Sequence, residues 1–521
     1  MKTQYDMIII GGGHNGLVAA ATLAKAGKKA LVLEKRPNLG GAAATEELFP
    51  GFKMDTGATD AGMFQDEIVQ ALALSQHGLT FQERDVLFVG LGVDGRSLTI
   101  FRDMGKTQAE IAKFSQRDAE KYPAFVQQIN NMTDILREML LRTPPDLMAR
   151  NVGELFSWGK VGLKLKRQGN KELMEFMRVL PMPANDFLNE WFETDLLKGV
   201  LGADALTGSV QGPRAAGTAL TLLYQHINGF GQSRTVAGGM GALSAAVASA
   251  AKQAGAEIRA NTAVSHIQVD DAGVATAVVL QNGDKIAAQA ILSSVDPQHT
   301  FLEMVGPQQL EPRFVRQVRN IIYRGSTARL NLALSGLPQV VGVADSQRLT
   351  GRIRLAPSLD YLEQASDAAK YGEMSAKPYL EVSLPSLSDA SLAPTGQHTM
   401  SITMKYAPYD LQDGWENGRN QLTQRILDVL APTMPNLAEL ILHQQLITPL
   451  DYAQSYGLAE GSIYQGQMSL DQLLVMRPVP AWGRYVTPIQ NLYLCGAGAH
   501  PGGGVTGAPG YNAARELLQA L

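Results

Sequence analysis

A single cysteine, Cys495, stands in 521 residues. It has no partner for an internal disulfide, and it rules out a CxxC redox pair or a multi-cysteine metal site. An excess of charge of one sign is missing too. Lys+Arg number 45 against 49 Asp+Glu, a formal net charge of −4, without the basic surplus of a general nucleic-acid binder. No run of roughly 18 mostly apolar residues occurs, so no transmembrane helix is expected. The N-terminal stretch through Gly13 enters a strand-like segment at once, without the longer apolar region and small-residue cleavage site of a secretory signal. These absences lead us to expect a cytoplasmic protein in a reducing compartment, with peripheral attachment to a membrane left open. Eight scattered histidines make no metal cluster, and no Ser/His/Asp spacing or HExxH motif stands out.

What is present is core and glycine. With 45% hydrophobic and 18% charged residues the chain can bury two or more domains' worth of interior, so wholesale disorder is excluded. Fifty-two glycines imply many tight turns and close backbone approaches. The most informative ones come first. Asp6 to Ile10 read as a buried strand, Gly11-Gly12-Gly13-His14-Asn15-Gly16 as a turn, Leu17 to Ala26 as a helix stopped by Gly27, and Lys29 to Leu33 as a second strand ending in Glu34. This is a βαβ unit with GxGxxG at its first turn. Gly11 makes the turn, Gly13 admits a pyrophosphate, Gly16 lets helix and strand pack, and the helix N-terminus offers free N–H groups to phosphate. Glu34 can accept hydrogen bonds from a ribose and disfavours a 2′-phosphate. A dinucleotide site is expected here, with Lys35 beside it.

Downstream, Gly40-Gly41-Ala42 and the segment Phe49 to Ala58, containing Asp55 and Gly57, follow the acidic residue. Near the C-terminus an apolar strand, Asn491 to Cys495, leads into Gly496-Ala497-Gly498-Ala499-His500-Pro501-Gly502-Gly503-Gly504-Val505, and then a helix from Tyr511 to Leu521. Together these resemble the FAD-dependent phytoene desaturase and amine oxidase superfamily. The resemblance implies FAD lying along Gly11, Gly13, His14, Asn15, Gly16, Glu34, Lys35, Gly40, Gly41, Ala42, Gly57 and Ala58, closed by Gly496, Gly498, Gly504 and Val505. Family members often carry arginine after the glycine doublet; Ala42 stands there, so backbone contacts must serve. His500 is a candidate for touching the flavin ring, or else it only shapes its loop. The catalytic residues are otherwise open, and Cys495 reads as an inert buried thiol.

A third block, Gly238-Gly239-Met240-Gly241 followed by a helix Ala242 to Ala254 and by Glu257 to Val264, also resembles the family. There the residue matched by Val264 holds the adenine end through its backbone. No strand is expected to end cleanly before Gly238, which argues against a second nucleotide site. The fold expected is α/β: a discontinuous Rossmann-type FAD domain from about 1–70, 235–300 and 480–521, with an inserted α+β substrate domain from 71–234 and 301–479. Residues 105–230 should be mostly helical, and 320–410 should form an antiparallel sheet. Segments such as Asn189-Glu190-Trp191-Phe192 and Met468-Ser469-Leu470-Asp471-Gln472 resemble a subgroup holding bacterial β-carotene ketolases and the mitochondrial pyridine-nucleotide-disulfide-oxidoreductase-domain proteins.

The resemblance implies an FAD-dependent oxidoreductase taking hydride from a lipophilic, isoprenoid or carotenoid substrate and passing electrons to dioxygen or quinone. Desaturation, ketolation and isomerisation stay open. So do an amine or other small donor, and a flavoprotein of regulatory role with little turnover. An amine oxidase would want an aromatic cage and a lysine reaching the flavin through water; Lys405, in the strand-like Met400 to Tyr406, is the one to examine, against a strand lysine facing solvent. Residues 155–167 mix Phe156, Trp158, Leu163 and Leu165 with Lys160, Lys164, Lys166 and Arg167. They form a possible peripheral membrane contact, or an amphipathic helix packed on the protein itself. No nucleic-acid partner is expected, and the oligomeric state is unknown.

Overall fold

The computed structural model describes residues 5–145 and 169–521. The basic segment 155–167 lies outside the described residues. Most strands fall into two seven-stranded sheets. The first contains β1 (Tyr5–Ile10), β2 (Ala30–Leu33), β9 (Glu257–Arg259), β10 (Val264–Val269), β11 (Ala275–Leu280), β12 (Lys285–Ser293) and β18 (Leu492–Leu494). Their order is β10–β11–β12–β1–β2–β9, with β18 also on β12. The pairs β12–β1, β1–β2, β2–β9 and β12–β18 are parallel. Such strands are covered on both faces, which is why Met7-Ile8-Ile9-Ile10 and Ala30-Leu31-Val32-Leu33 are continuous apolar runs and buried throughout.

Helix His14–Lys25 packs against helices Met240–Gln253 and Ala508–Ala520. Alanines dominate their buried positions, among them Ala19, Ala20, Ala246, Ala250, Ala513 and Ala514. Small side chains let the axes approach. At the tightest point a Cβ on Gly510 would lie 1.9 Å from the Asn15 carbonyl oxygen, so only glycine fits. Helix bounds differ from the sequence expectation by a few residues, because the free ends of a helix are fixed by its caps rather than by apolar period.

The second sheet runs β17 (Ile441–Ile447), β13 (Thr327–Leu334), β16 (His398–Lys405), β15 (Leu380–Ser383), β14 (Arg352–Leu355), β6 (Val86–Leu91) and β7 (Ser97–Phe101). It is antiparallel except where β14 meets β6. One face is apolar: Leu330, Leu332, Ile353, Val382, Ile402 and Met404 form a core with helix Trp415–Leu430. The opposite face carries Arg329, Arg354, Glu381, Thr403 and Lys405, and it is not turned to bulk water. It looks onto an internal cavity, with the helical region beyond it.

That region packs around an aromatic cluster of Tyr122, Phe125, Phe187 and Phe192. Its longest helix, Gln116–Leu140, starts with the Ser115 hydroxyl accepting from Asp118 N. It tolerates Pro123 by one exchange. Proline has no N–H for the Ala119 carbonyl, and the Gln108 amide donates to that oxygen instead, at 3.0 Å. Two hairpin-like ribbons complete the strands: β3 (Thr45–Phe49) with β4 (Phe52–Asp55), and β5 (Phe81–Glu83) with β8 (Arg234–Val236). Contrary to expectation, β8 does end just before Gly238. It belongs to a two-stranded ribbon and not to the parallel sheet, so it makes no second nucleotide fold.

Candidate functional site

The end of β1 and the end of β2 bring the glycine turn and Glu34 to one place. A cavity of ≈530 Å³ opens there, lined by Gly11, Gly13, His14, Asn15, Glu34, Lys35, Gly41, Ala42 and Val264 among others. Each glycine has a distinct reason. Gly11 has φ +97°, a region that L side chains rarely enter. A Cβ on Gly16 would sit 2.2 Å from the Gly11 oxygen, so Gly16 serves packing and does not face the cavity. A Cβ on Gly13 would meet nothing within 4 Å; it would project into the open space. Gly40 N donates to the Gly12 carbonyl at 2.8 Å, which draws the glycine doublet against the turn, and Gly41 takes φ +58°.

Glu34 is buried. Its two carboxylate oxygens accept from Gly12 N at 2.6 Å and Arg36 N at 2.8 Å, which fixes its orientation and leaves further lone pairs toward the cavity. The Glu34 carbonyl accepts from Thr262 N at 2.8 Å, bringing the chain at Val264 alongside. Lys35 lines the same space, and burial lowers its pKa. At the helix N-terminus His14 Nε2 and Asn15 Oδ1 are buried without partners. Burial pushes the His14 imidazole down to about 4, so it is neutral at physiological pH.

The C-terminal loop closes the other side. Gly496 and Gly498 line neither cavity. A Cβ on Gly496 would lie 2.4 Å from the Ser294 oxygen, and Gly498 N donates to the Gln465 amide oxygen at 2.8 Å. They allow the loop to pass close, while Ala497, Gly504 and Val505 between and beyond them reach open space. His500 is a correction. It lies in neither cavity, is wholly buried, and places Nε2 3.1 Å from the Met139 carbonyl. Burial lowers its pKa to about 4. Its role here is loop packing, because the loop turns its side chain away from the cavities. Cys495 is buried, and burial raises its pKa.

A second cavity, of ≈160 Å³, adjoins the first and shares His14, Ala42, Ile463 and Ala497 with it. Gly57, Ala58, Gly504 and Val505 also line it. Its roof is the polar face of the second sheet. Register puts Arg329 opposite Thr403, Thr403 opposite Glu381 and Glu381 opposite Arg354, one row across four strands. Arg329 is buried and donates to the Gly57 carbonyl and, at 3.0 Å, to Ser401 Oγ. An arginine therefore does reach the segment beside Ala42, from a strand remote in sequence. Lys405 lines this cavity and is not a solvent-facing strand residue. Burial pushes its pKa down to about 8. Sequence reasoning missed Arg329, Arg352, Glu381, Asp204 and Tyr464. The available signal was a charged residue inside an otherwise apolar strand, as at Arg329, Arg352 and Glu381; Asp204 and Tyr464 lie outside the strands and gave none.

The family model for flavin-containing amine oxidoreductase matches residues 16–518. The chain belongs to this family. Among its relatives, pyridine nucleotide-disulfide oxidoreductase domain-containing protein 2 of Rattus norvegicus is 35% identical, with 100% of this chain and 94% of that protein covered. A limonene dehydrogenase polypeptide of Castellaniella defragrans is 28% identical over 99% and 95% of the two chains. A neurosporene-forming phytoene desaturase of Rhodobacter capsulatus is 25% identical over 96% and 90%. In fold, an oxidoreductase from Methanosarcina mazei matches at TM-score 0.62 with 16% identity, covering 98% of this chain and 99% of that one. Cyclohexylamine oxidase from Brevibacterium oxydans matches at 0.57 with 13% identity, over 99% and 98%.

This flavin oxidoreductase is an FAD-dependent enzyme with a small-molecule substrate and an electron acceptor. The residues present fit the cofactor: an open Cβ direction at Gly13, two unpartnered polar atoms at a helix N-terminus, and a fixed carboxylate at the end of β2. The disulfide chemistry in the rat relative's name has no counterpart here, since the chain has one cysteine. Among the described residues, no helix is long and apolar enough to cross a membrane, and no His/Cys/Asp/Glu group could hold a metal ion.

Proposed function

We propose that this enzyme oxidises a C–H bond of a lipophilic, isoprenoid-like small molecule held in the ≈160 Å³ cavity, with dioxygen or a quinone as acceptor. The observation that carries this reading is the junction of the two cavities at His14, Ala42, Ile463 and Ala497. FAD, when bound, supplies the hydride acceptor. Gly11, Gly13 and the helix N-terminus at His14 would hold its phosphates. Glu34 would hold the ribose, and the backbone at Val264 the adenine. Gly57, Ala58, Gly504 and Val505 would flank its reactive end.

The protein's own work is then orientation and exclusion of water. Met63, Phe88, Ala203, Ile463 and Val505 provide apolar wall. The names of the limonene dehydrogenase and phytoene desaturase relatives support an isoprenoid skeleton. An ammonium substrate gains little here: of the lining carboxylates Asp204 and Glu381 are already held by Arg352 and Arg354, while Lys405 and Arg329 stand without an ion-pair partner. The division of the chain into a discontinuous FAD domain and an inserted substrate domain is part of the same proposal. The test is anaerobic: purified holoenzyme is mixed with terpenoids, carotenoids, other lipids and amines, and flavin absorbance near 450 nm is followed. Bleaching by an isoprenoid or lipid is expected. Bleaching by amines alone would overturn the reading.

A further inference from the structure

The cavity is lined by three carboxylates, Asp60, Asp204 and Glu381, and three cations, Arg329, Arg352 and Lys405, but they do not pair one to one. Arg354 is fully buried and contacts two carboxylates, Asp204 at 2.5 Å and Glu381 at 2.9 Å. Arg352 stands 3.8 Å from the same Glu381, so two guanidinium groups and two carboxylates close on themselves. Asp60 accepts from Gly62 N at 2.7 Å and from the Ser233 hydroxyl, and the buried Arg84 faces it. Asp55 is tied to Thr45 and to Met240 N.

Two of the cations, Arg329 and Lys405, have no carboxylate in direct contact, although Glu381 and Asp204 act on Lys405 from farther off. Arg329 spends two nitrogens on neutral oxygens, and its Nε is buried without a partner. Among the described residues, Lys405 makes no hydrogen bond and no carboxylate lies within 4.0 Å of it. Its one close polar-type contact is the Tyr464 ring, 5.9 Å from Nζ to the centroid. Arg352 Nε is likewise buried and unpartnered. An enclosed ammonium without a counter-ion is unfavourable by itself and is tolerated where an anion completes it.

We infer that the substrate, or the product, carries an acidic oxygen group, a carboxylate above all, which seats against Lys405 between Arg329 and Arg352. The inference rests on the proposed use of this cavity and narrows its substrate class to a lipophilic acid. Lys405 is then a substrate-positioning residue: it sets which carbon of the chain faces the junction at His14 and Ala42. A plain hydrocarbon would leave the ammonium without a direct partner. Held at its acidic end, a molecule with an apolar body would lay that body along Met63, Ile463 and Val505.

The test uses a matched six-carbon trio, hexanoate, hexanol and hexylamine, titrated into FAD-loaded enzyme while the flavin absorption spectrum is recorded. Hexanoate is expected to perturb the spectrum and to bind at least ten-fold tighter than the other two. Lys405→Met should lose at least ten-fold of the hexanoate affinity with unchanged FAD content, and Lys405→Arg should restore most of it. Equal binding of the trio, tighter hexylamine, absence of any perturbation, or an unaltered hexanoate affinity in Lys405→Met would overturn the inference. If Lys405→Met fails to fold, the wild-type ranking still decides. Dithionite bleaching and FAD content are read on the same samples. A protein that holds reducible FAD yet ignores hexanoate loses this inference alone; a protein without reducible flavin loses the proposed function itself.

Discussion

Glu34 has two duties that a single substitution exposes. It would bind the ribose, and it already holds Gly12 N and Arg36 N in place. Glu34→Ala should weaken FAD by about 1.5–3 kcal/mol, roughly ten- to hundred-fold in Kd, measured by fluorescence titration of the apoprotein. Unchanged affinity would place the ribose elsewhere. His500 gives a different prediction, about pH. Its unfolded pKa is near 6.5 and burial holds the folded value at about 4, so between these pH values the unfolded chain binds more protons. Its contribution is full above pH 6.5 and is lost as pH falls toward 4, by roughly 3 kcal/mol at most. His14, with the same shift, adds to the slope. His500→Gln should flatten the fall of melting temperature between pH 6.5 and 4.5; an unchanged slope would show that its imidazole is not held neutral. At this scale the sequence was legible where backbone geometry dictates the residue, as at Gly11, Gly13 and Glu34. It was illegible at His500, because nothing in a glycine-rich loop says which way a side chain turns.

Among elements, the second sheet puts an apolar core on one face and the proposed substrate cavity on the other. Ile402 and Thr403 are neighbours in β16 with opposite tasks. Ile402 is wholly buried in the apolar core, and Thr403 lines the cavity. Ile402→Ala should cost about 2–5 kcal/mol of stability while the FAD ratio of the folded protein stays the same. Denaturant titration checks this, and a loss below about 1 kcal/mol would contradict the packing assigned to that face. Gly510→Val should destabilise through overpacking, by about 1–3 kcal/mol or more, because its new side chain meets the Asn15 carbonyl. A stability equal to wild type would contradict the close helix approach. The alternation of β13 and β16 was readable as strands. Whether Lys405 faced solvent or the cofactor stayed open, since sequence does not reveal that helices elsewhere cover that face. The parallel pairing of β14 with β6 was equally hidden: it joins residues more than two hundred positions apart and leaves no local pattern.

At the scale of the whole molecule, two cavities meet at the turn between β1 and its helix, one proposed to take FAD and the other its substrate. The strand, glycine turn, helix and acidic strand end announced the first cavity in the sequence because each follows from local geometry. The second is assembled from residues between His14 and Val505, and its unpaired Lys405 and Arg329 meet only once the sheet is folded. The first cavity depends on Gly13, whose missing side chain leaves the cofactor space open. Heat release and chromatographic quantification of the nucleotide from purified wild type and Gly13→Val therefore test the central claim most directly. The account expects FAD near one per chain in wild type and a large loss in a folded Gly13→Val protein, whose branched side chain enters that space. A wild type without FAD, or a Gly13→Val protein with its full complement, would contradict it.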